Sequence, residues 1–161
     1  MIPVPVKDIL DWTGGRYFGS PALLFNSVSD VVIDSRAATD GCLFVPVRGG
    51  NFDGHAFIED ARKRGALLVL TEAPLKSEPY ILVPDALIAL QDIATAYRKL
   101  FPIPIVAITG SMGKTSTKEM IASALAERFR VHKNQGNLNN QTGLPLTVFQ
   151  LGREHEVSVV E

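Results

Sequence analysis

The chain has a single cysteine, Cys42, so no disulfide can form within it and no cysteine-based zinc site can be assembled. Disulfides therefore set no compartment, and a reducing cytoplasm is the default expectation. An excess of charge is lacking too. Sixteen Lys and Arg stand against seventeen Asp and Glu, for a net charge of −1. That balance argues against a strongly basic nucleic-acid binder. Long apolar runs are missing as well. Gly65-Ala66-Leu67-Leu68-Val69-Leu70 has the size of a strand, well short of the ~18 residues of a membrane span. Met1-Ile2-Pro3-Val4-Pro5-Val6 has no basic run before an apolar core, unlike a signal peptide. His132 and His155 have no metal partner at ligand spacing and are read as structural. With 46% hydrophobic and 20% charged residues over 161 positions, the sequence describes a folded chain of one domain or two small ones.

Periodicity divides the chain into two regions. In the first, residues 6–12 have helical spacing and stop at Gly14-Gly15. Val31-Val32-Ile33 and residues 42–47 are strand-like, with Pro46 marking an edge or a strand end. Residues 48–54 read as a loop with three glycines. Residues 55–64 read as a helix closed by Gly65. Residues 66–70 and 80–83 supply two more strands. Asp85 is a plausible N-cap for a helix of about four turns to Leu100, with Ala86, Ile88, Ala89, Ile93, Ala96, Tyr97 and Leu100 as its apolar positions. Phe101-Pro102-Ile103-Pro104 stops that helix, because proline disfavours helix at the residue before it. The second region opens with a buried-strand pattern at residues 105–109. A glycine turn, a helix over 114–129 and an Asn- and Gln-rich loop at 134–141 follow. A helix with Pro145 at its first position and a strand at 157–161 complete it. The expected fold is α/β: a small mixed α/β N-terminal domain, then the start of a parallel-sheet domain. Its divisions are 1–84, a connecting helix and linker over 85–101, and 102–161. A parallel sheet needs more strands than the second region supplies, so the sequence reads as a fragment of a longer protein.

Thr109-Gly110-Ser111-Met112-Gly113-Lys114-Thr115 joins a predicted strand to a predicted helix. Glycines let the backbone turn tightly and aim its N–H groups inward. The helix N-terminus adds partial positive charge, and Lys114 adds a full one within reach of β/γ-phosphates. The Thr115 hydroxyl can coordinate Mg²⁺. The match to the longer phosphate-loop pattern is partial, since Ile108 stands where that pattern has its first glycine. Glu161, at the C-terminal end of a strand, points toward the loop if that strand lies beside residues 105–109. The competing reading is a charge exposed at a strand end.

Thr109 to Met120, read as Thr-Gly-Ser-Met-Gly-Lys-Thr-Ser-Thr-Lys-Glu-Met, resembles the ATP loop of the Mur ligases. Gly136-Asn137-Leu138-Asn139-Asn140-Gln141-Thr142-Gly143-Leu144-Pro145 is similar to the Asn-rich segment of the family's D-Ala-D-Ala-adding branch. Asp34-Ser35-Arg36, residues 41–49 and Asp53-Gly54-His55 resemble its nucleotide-sugar domain. Met112 departs from the asparagine the family most often has there. The resemblance makes the second region the start of a P-loop parallel-sheet ATPase domain. It implies an ATP- and Mg²⁺-dependent ligase of peptidoglycan precursor synthesis, taking UDP-N-acetylmuramoyl-tripeptide and D-Ala-D-Ala as substrates in the cytoplasm. It implies ATP contacts at Thr109, Gly110, Ser111, Met112, Gly113, Lys114, Thr115, Ser116, Asn139 and Asn140, with Lys114 catalytic and Thr115 and Glu161 on the metal. Asn139 and Asn140 also read as ordinary turn residues. As a fragment, the chain is expected to be inactive by itself.

In the first region the resemblance assigns Ser35, Arg36, Arg48, Gly49, Asn51, Asp53, Gly54 and His55 to the UDP-sugar. Arginine can clamp a diphosphate and backbone N–H groups can donate to it. The plainer readings are a surface salt bridge for Arg36, helix capping for Asp53 and a helix-start position for His55. Arg62-Lys63-Arg64 is read as a solvated helix end. Three competing functions stay open: a sister ligase adding another amino acid, a non-catalytic nucleotide-sugar binding module, and a P-loop kinase or regulatory NTPase.

Overall fold

A computed structural model describes every residue except Asn51, Gln135 and Asn137. It divides into two compact units, Met1–Ile93 and Ala94–Glu161. The division falls inside a helix rather than at the Phe101-Pro102 break.

In the first unit, β1 (Val4–Pro5) leads into α1 (Val6–Thr13), which ends on Gly14 in the left-handed region at φ 59°. Next come β2 (Arg16–Phe18), a 3₁₀ turn at Pro21–Phe25, β3 (Ser27–Val28), β4 (Asp30–Val32) and a 3₁₀ turn at Ser35–Ala37. Then follow β5 (Cys42–Phe44), β6 (Arg48–Gly49), β7 (Phe52–Asp53), a 3₁₀ turn at Gly54–Phe57, α2 (Ile58–Lys63), β8 (Leu68–Thr71) and β9 (Tyr80–Leu82). Five strands form one sheet in the order β2-β9-β8-β5-β4, parallel except where β2 meets β9. Strand alternation sends Cys42, Phe44 and Val69 to one face, where they pack with Val32, Ile58, Ala61 and Tyr80. Leu43, Leu68, Leu70 and Ile81 point the other way and are fully buried. Burial on both faces explains the unbroken apolar runs. Pro46 lies past the end of a central strand, so of its two expected places only the strand end holds.

Within the glycine-rich stretch expected as a loop, Arg48–Gly49 and Phe52–Asp53 are strands. β6 and β7 pair antiparallel, with Arg48 opposite Asp53 and Gly49 opposite Phe52. Gly54 follows because a Cβ there would stand 2.8 Å from both the backbone N and O of Val47. The predicted helix from residue 55 begins as a 3₁₀ turn instead. There the Asp53 carboxylate accepts from the His55 N–H at 2.9 Å.

α3 (Ala86–Arg98) starts at Asp85, whose carboxylate accepts from the Ile88 N–H at 2.9 Å. Its buried positions are Ala86, Ala89, Leu90, Ile93, Ala94 and Tyr97. Ile88 and Leu100, expected on the apolar face, are exposed, and Leu90 is buried in their place. The last turn belongs to the second unit. Tyr97 packs on Phe101 and on the edge of Phe149, and its hydroxyl donates to the Leu151 carbonyl at 2.8 Å.

The second unit continues with β10 (Ile105–Ala107), α4 (Lys114–Ala126), β11 (Val131–Lys133), α5 (Gly143–Phe149) and β12 (Val157–Val160). Its three strands are parallel in the order β10-β12-β11. β12 is central and wholly buried, whereas β10 is not the buried strand its sequence suggested. It lies at the edge of the described sheet, so one side of its backbone has no neighbour. α5 starts two residues before Pro145, which therefore sits in its first turn but not at its first position. The His132 ring bonds Ser158 Oγ at 2.8 Å through Nδ1 and meets the His155 ring edge-on at 5.1 Å. Both histidines are thus packing residues, as read from the sequence.

Candidate functional site

The turn between β10 and α4 lies at the C-terminal edge of the three-stranded sheet, where parallel α/β sheets hold their ligands. Gly110, at φ 149°, and Gly113, at φ 74°, supply backbone that other residues rarely adopt. Gly113 is the N-cap of α4, and its carbonyl accepts the first helical bond, from the Thr117 N–H at 2.9 Å. The first N–H groups of α4 therefore face the loop and carry the positive end of the helix dipole. The Lys114 ammonium folds over the loop and donates to the Gly110 carbonyl at 2.7 Å.

β12 runs parallel beside β10, so Glu161 does arrive at this loop. Its Oε1 accepts from Thr115 Oγ1 at 3.1 Å and from Asn139 Nδ2 at 3.2 Å. Oε2 is buried and has no hydrogen-bond partner among the described residues. Ser111, Met112, Gly113, Lys114, Thr115, Ser116, Asn139 and Glu161 line a cavity of about 480 Å³. Thr109 and Gly110 enter this loop without lining the cavity. Asn140 turns away, its Oδ1 accepting from the Gly143 N–H at 2.7 Å and from the backbone and hydroxyl of Thr142. Of its two sequence readings, the turn residue fits this geometry. Met112 lines the cavity with its side chain 90% exposed.

An oxygen pair of hydroxyl and carboxylate beside a phosphate cradle is the donor chemistry of Mg²⁺, which takes few protein ligands and completes its shell with phosphate and water. The buried, unpaired Oε2 of Glu161 fits such an ion. No group of three or more His, Cys, Asp and Glu among the described residues converges to hold a metal.

The first unit has a different kind of cavity. About 520 Å³ is lined by Ile33, Asp34, Ser35, Arg36, Phe44, Phe52, Phe57 and Asp60. Phe52 and Phe57 stack with centroids 5.3 Å apart, and both are substantially exposed. Ser35 is buried, and its hydrogen bond to Asp60 holds that carboxyl below the usual range. Arg36 is paired with Asp34 through contacts of 2.7, 3.0 and 3.1 Å, which hold the Asp34 carboxyl down at about 2.

Of the expected UDP-sugar residues, Ser35 and Arg36 line this cavity. Arg48, Gly49, Asp53, Gly54 and His55 form the adjoining hairpin and turn that carry Phe52. Asn51 lies outside the described residues. Arg48 reaches Glu72 at 3.0 Å and Asp53 at 3.3 Å, and Asp53 also holds His55 Nδ1 at 2.7 Å. Arg62 departs from its expected solvated place. It donates to the carbonyls of Ser77 and Pro79 at 2.9 and 3.0 Å, tying down the segment before β9. Sequence reasoning missed Phe52, Phe57 and Asp60, for which the Phe52–Phe57 spacing across a turn was the available signal.

Two family models cover these regions in turn. Residues 27–99 match "Mur ligase family, catalytic domain", and residues 108–161 match "Mur ligase middle domain". The chain belongs to the Mur ligase family. Over its whole length it is 39% identical to the UDP-N-acetylmuramoyl-tripeptide--D-alanyl-D-alanine ligase of Bacillus subtilis, covering 36% of that protein. A crystal structure of MurF from Acinetobacter baumannii superposes with a TM-score of 0.91 at 29% identity, over 99% of this chain and 35% of that one. The MurF ligase of Thermotoga maritima, solved in complex with ADP, gives 0.77 at 34% identity over 83% of this chain and 32% of that one. The chain spans about a third of the length of the Mur ligases it matches. Among the described residues no helix is long and apolar enough to cross a membrane.

Proposed function

We propose that this chain carries the muramoyl-nucleotide region and the ATP phosphate site of an amide ligase of peptidoglycan precursor synthesis, which joins D-Ala-D-Ala to UDP-N-acetylmuramoyl-tripeptide. Residues 1–84 take the nucleotide-sugar, residues 85–101 connect, and residues 102–161 begin the ATP domain. The observation that carries this reading is the meeting of Thr115 and Glu161 at the mouth of the loop that holds Lys114. The names of the relatives supply the substrates.

The chemistry asks for what the loop offers. A carboxylate oxygen of the tripeptide bonds to the γ-phosphorus as the bond to ADP breaks. The D-Ala-D-Ala amine then bonds to the acyl carbon, phosphate leaves, and the nitrogen gives up a proton. The first step brings two anions together, so positive charge must be in place beforehand. Lys114 leaves its carbonyl contact to meet β/γ-phosphate oxygens, while the α4 N–H groups and Ser111 and Ser116 donate to the rest. Thr115 and Glu161 would hold Mg²⁺, which lowers the repulsion between the reacting anions. In the first unit, Phe52 and Phe57 offer a face for the uracil ring and Arg36 a charge for the diphosphate.

Calorimetric titration tests the two sites separately, with Mg-ATP, UMP and UDP-N-acetylmuramoyl-tripeptide as ligands. Saturable Mg-ATP binding lost in Lys114→Ala, with UDP-peptide binding retained, is the expected result. A folded chain that binds neither nucleotide overturns the reading.

A further inference from the structure

Beneath the phosphate loop lies a buried polar bracket that the reaction does not itself require. Asn134, just beyond the end of β11, is 1% exposed. Its Oδ1 accepts from the backbone N–H of Glu161 at 3.2 Å. Its own carbonyl accepts from the Lys118 ammonium at 3.0 Å. Lys118 is equally buried and stands one turn along α4 from Lys114. One asparagine thus ties together the end of β11, the helix of the phosphate loop and the residue that follows β12.

Burying these groups is costly. The Asn134 side-chain amide loses hydration on burial. A leucine of similar size would avoid that loss, though it would leave the Glu161 N–H without this acceptor. The Lys118 ammonium meets the backbone carbonyl at 134 whichever side chain stands there. Asn134 Nδ2 is moreover buried with no partner among the described residues. Packing alone does not explain such a residue. Its geometric effect is on Glu161. Thr115 and Asn139 hold only Oε1, so the direction of Oε2 is set by where the backbone of Glu161 lies. Asn134 fixes that backbone.

We propose that Asn134, braced by Lys118, is a positioning residue that aims the Glu161 carboxylate at the divalent cation accompanying a nucleotide on this loop. The inference rests on the Mg-nucleotide reading of the loop. Groups that orient a metal ligand without touching the metal typically alter metal affinity about 10–100-fold when removed.

The experiment measures ATP affinity of this chain across a Mg²⁺ series and in EDTA, for the wild type, Asn134→Leu and Asn134→Asp, with thermal melts as the check on folding. In Asn134→Leu the Mg²⁺ concentration for half-maximal enhancement of ATP binding is expected to rise about 10–100-fold. The weak affinity in EDTA stays at its wild-type value. Asn134→Asp keeps an acceptor for the Glu161 N–H and recovers most of the Mg²⁺ response. If Asn134→Leu does not fold, Asn134→Ser, smaller and still polar, carries the same expectation. An unchanged Mg²⁺ response in a folded variant overturns the proposal alone. So does an equal loss with Mg²⁺ and in EDTA, which is what a merely structural role gives. A wild-type chain with no Mg²⁺-dependent ATP binding overturns both this proposal and the reading beneath it.

Discussion

The two candidate sites hold their cations differently. In the second unit Lys114 rests on a backbone carbonyl, a neutral partner it can exchange for phosphate. In the first unit Arg36 is bound by Asp34, and Arg48 by Glu72 and Asp53. An anion arriving at Lys114 meets an uncompensated charge. One arriving at Arg36 competes with a carboxylate already in place. Affinity in the second unit should therefore respond strongly to the loss of the Lys114 charge, and affinity in the first should rest more on shape and stacking.

The largest expected effect follows. Lys114→Ala should weaken Mg-ATP binding by about 100-fold, corresponding to ~3 kcal/mol for a charge-assisted contact. It should leave UMP affinity unchanged, because the lysine has no part in the first unit's cavity. Calorimetry on both ligands reads this directly. An equal loss of UMP binding would mean that the substitution had disturbed the whole chain.

Acid should separate the units next. Burial, then the neighbouring His155, pushes His132 down from 6.5 to about 4. The folded state therefore prefers the neutral ring. Its stabilisation is fully present above pH 6.5 and is lost as pH falls from there toward 4. The loss is on the order of 2–3 kcal/mol. Melting of the second unit, followed by hydrogen exchange between pH 7 and 4, should fall accordingly. His132→Gln should flatten that dependence, even if it lowers stability at pH 7.

Phe52→Ala comes third. Removing one ring of the exposed Phe52–Phe57 stack should weaken UMP binding roughly 5–10-fold, near 1–1.4 kcal/mol for an aromatic contact. Mg-ATP binding should be untouched. If UMP affinity does not change, the aromatic pair is surface packing and the uracil lies elsewhere.

These contrasts also explain what could be read before the structure. The phosphate loop was legible because its chemistry lies in consecutive residues whose backbone does the work. Even Glu161, remote in sequence, could be placed from the rule that parallel sheets bind ligands at one edge. Asn140 was not separable from Asn139, since both are turn-formers and only the fold decides which faces the cavity. The first unit's site was hardly legible. It is assembled from a hairpin hidden in a glycine-rich stretch, two phenylalanines across a turn, and a carboxylate on α2. In α3 the buried Ala86, Ala89, Leu90, Ile93, Ala94 and Tyr97 follow one helical period, and Ile88 lies off that stripe, where apolar character alone does not bring burial. The exposed β10 has the sequence of a buried strand because composition reports what a strand suits, not how many neighbours it has.

The smallest effect belongs to Arg36, and it is the sharpest test of the opposition between the sites. The contact with Asp34 is exposed, with Arg36's side chain 83% accessible, so it contributes little to stability. It nevertheless occupies the guanidinium. A diphosphate must draw the arginine off a carboxylate or share it, and the residual carboxylate repels the incoming anion. Arg36→Ala therefore removes an attraction and exposes a repulsion that was largely present already. UDP-peptide affinity should fall only about threefold, near 0.6 kcal/mol. Asp34→Asn, which frees the arginine, should raise affinity by a similar factor, more at low salt than at high. The Asp34 carboxyl, held near 2 in the wild type, should return toward 3.8 in Arg36→Ala, which an NMR titration can follow. A loss as large as that of Lys114→Ala would mean the Asp34 pair opens freely on binding, and the two sites would then use their cations alike.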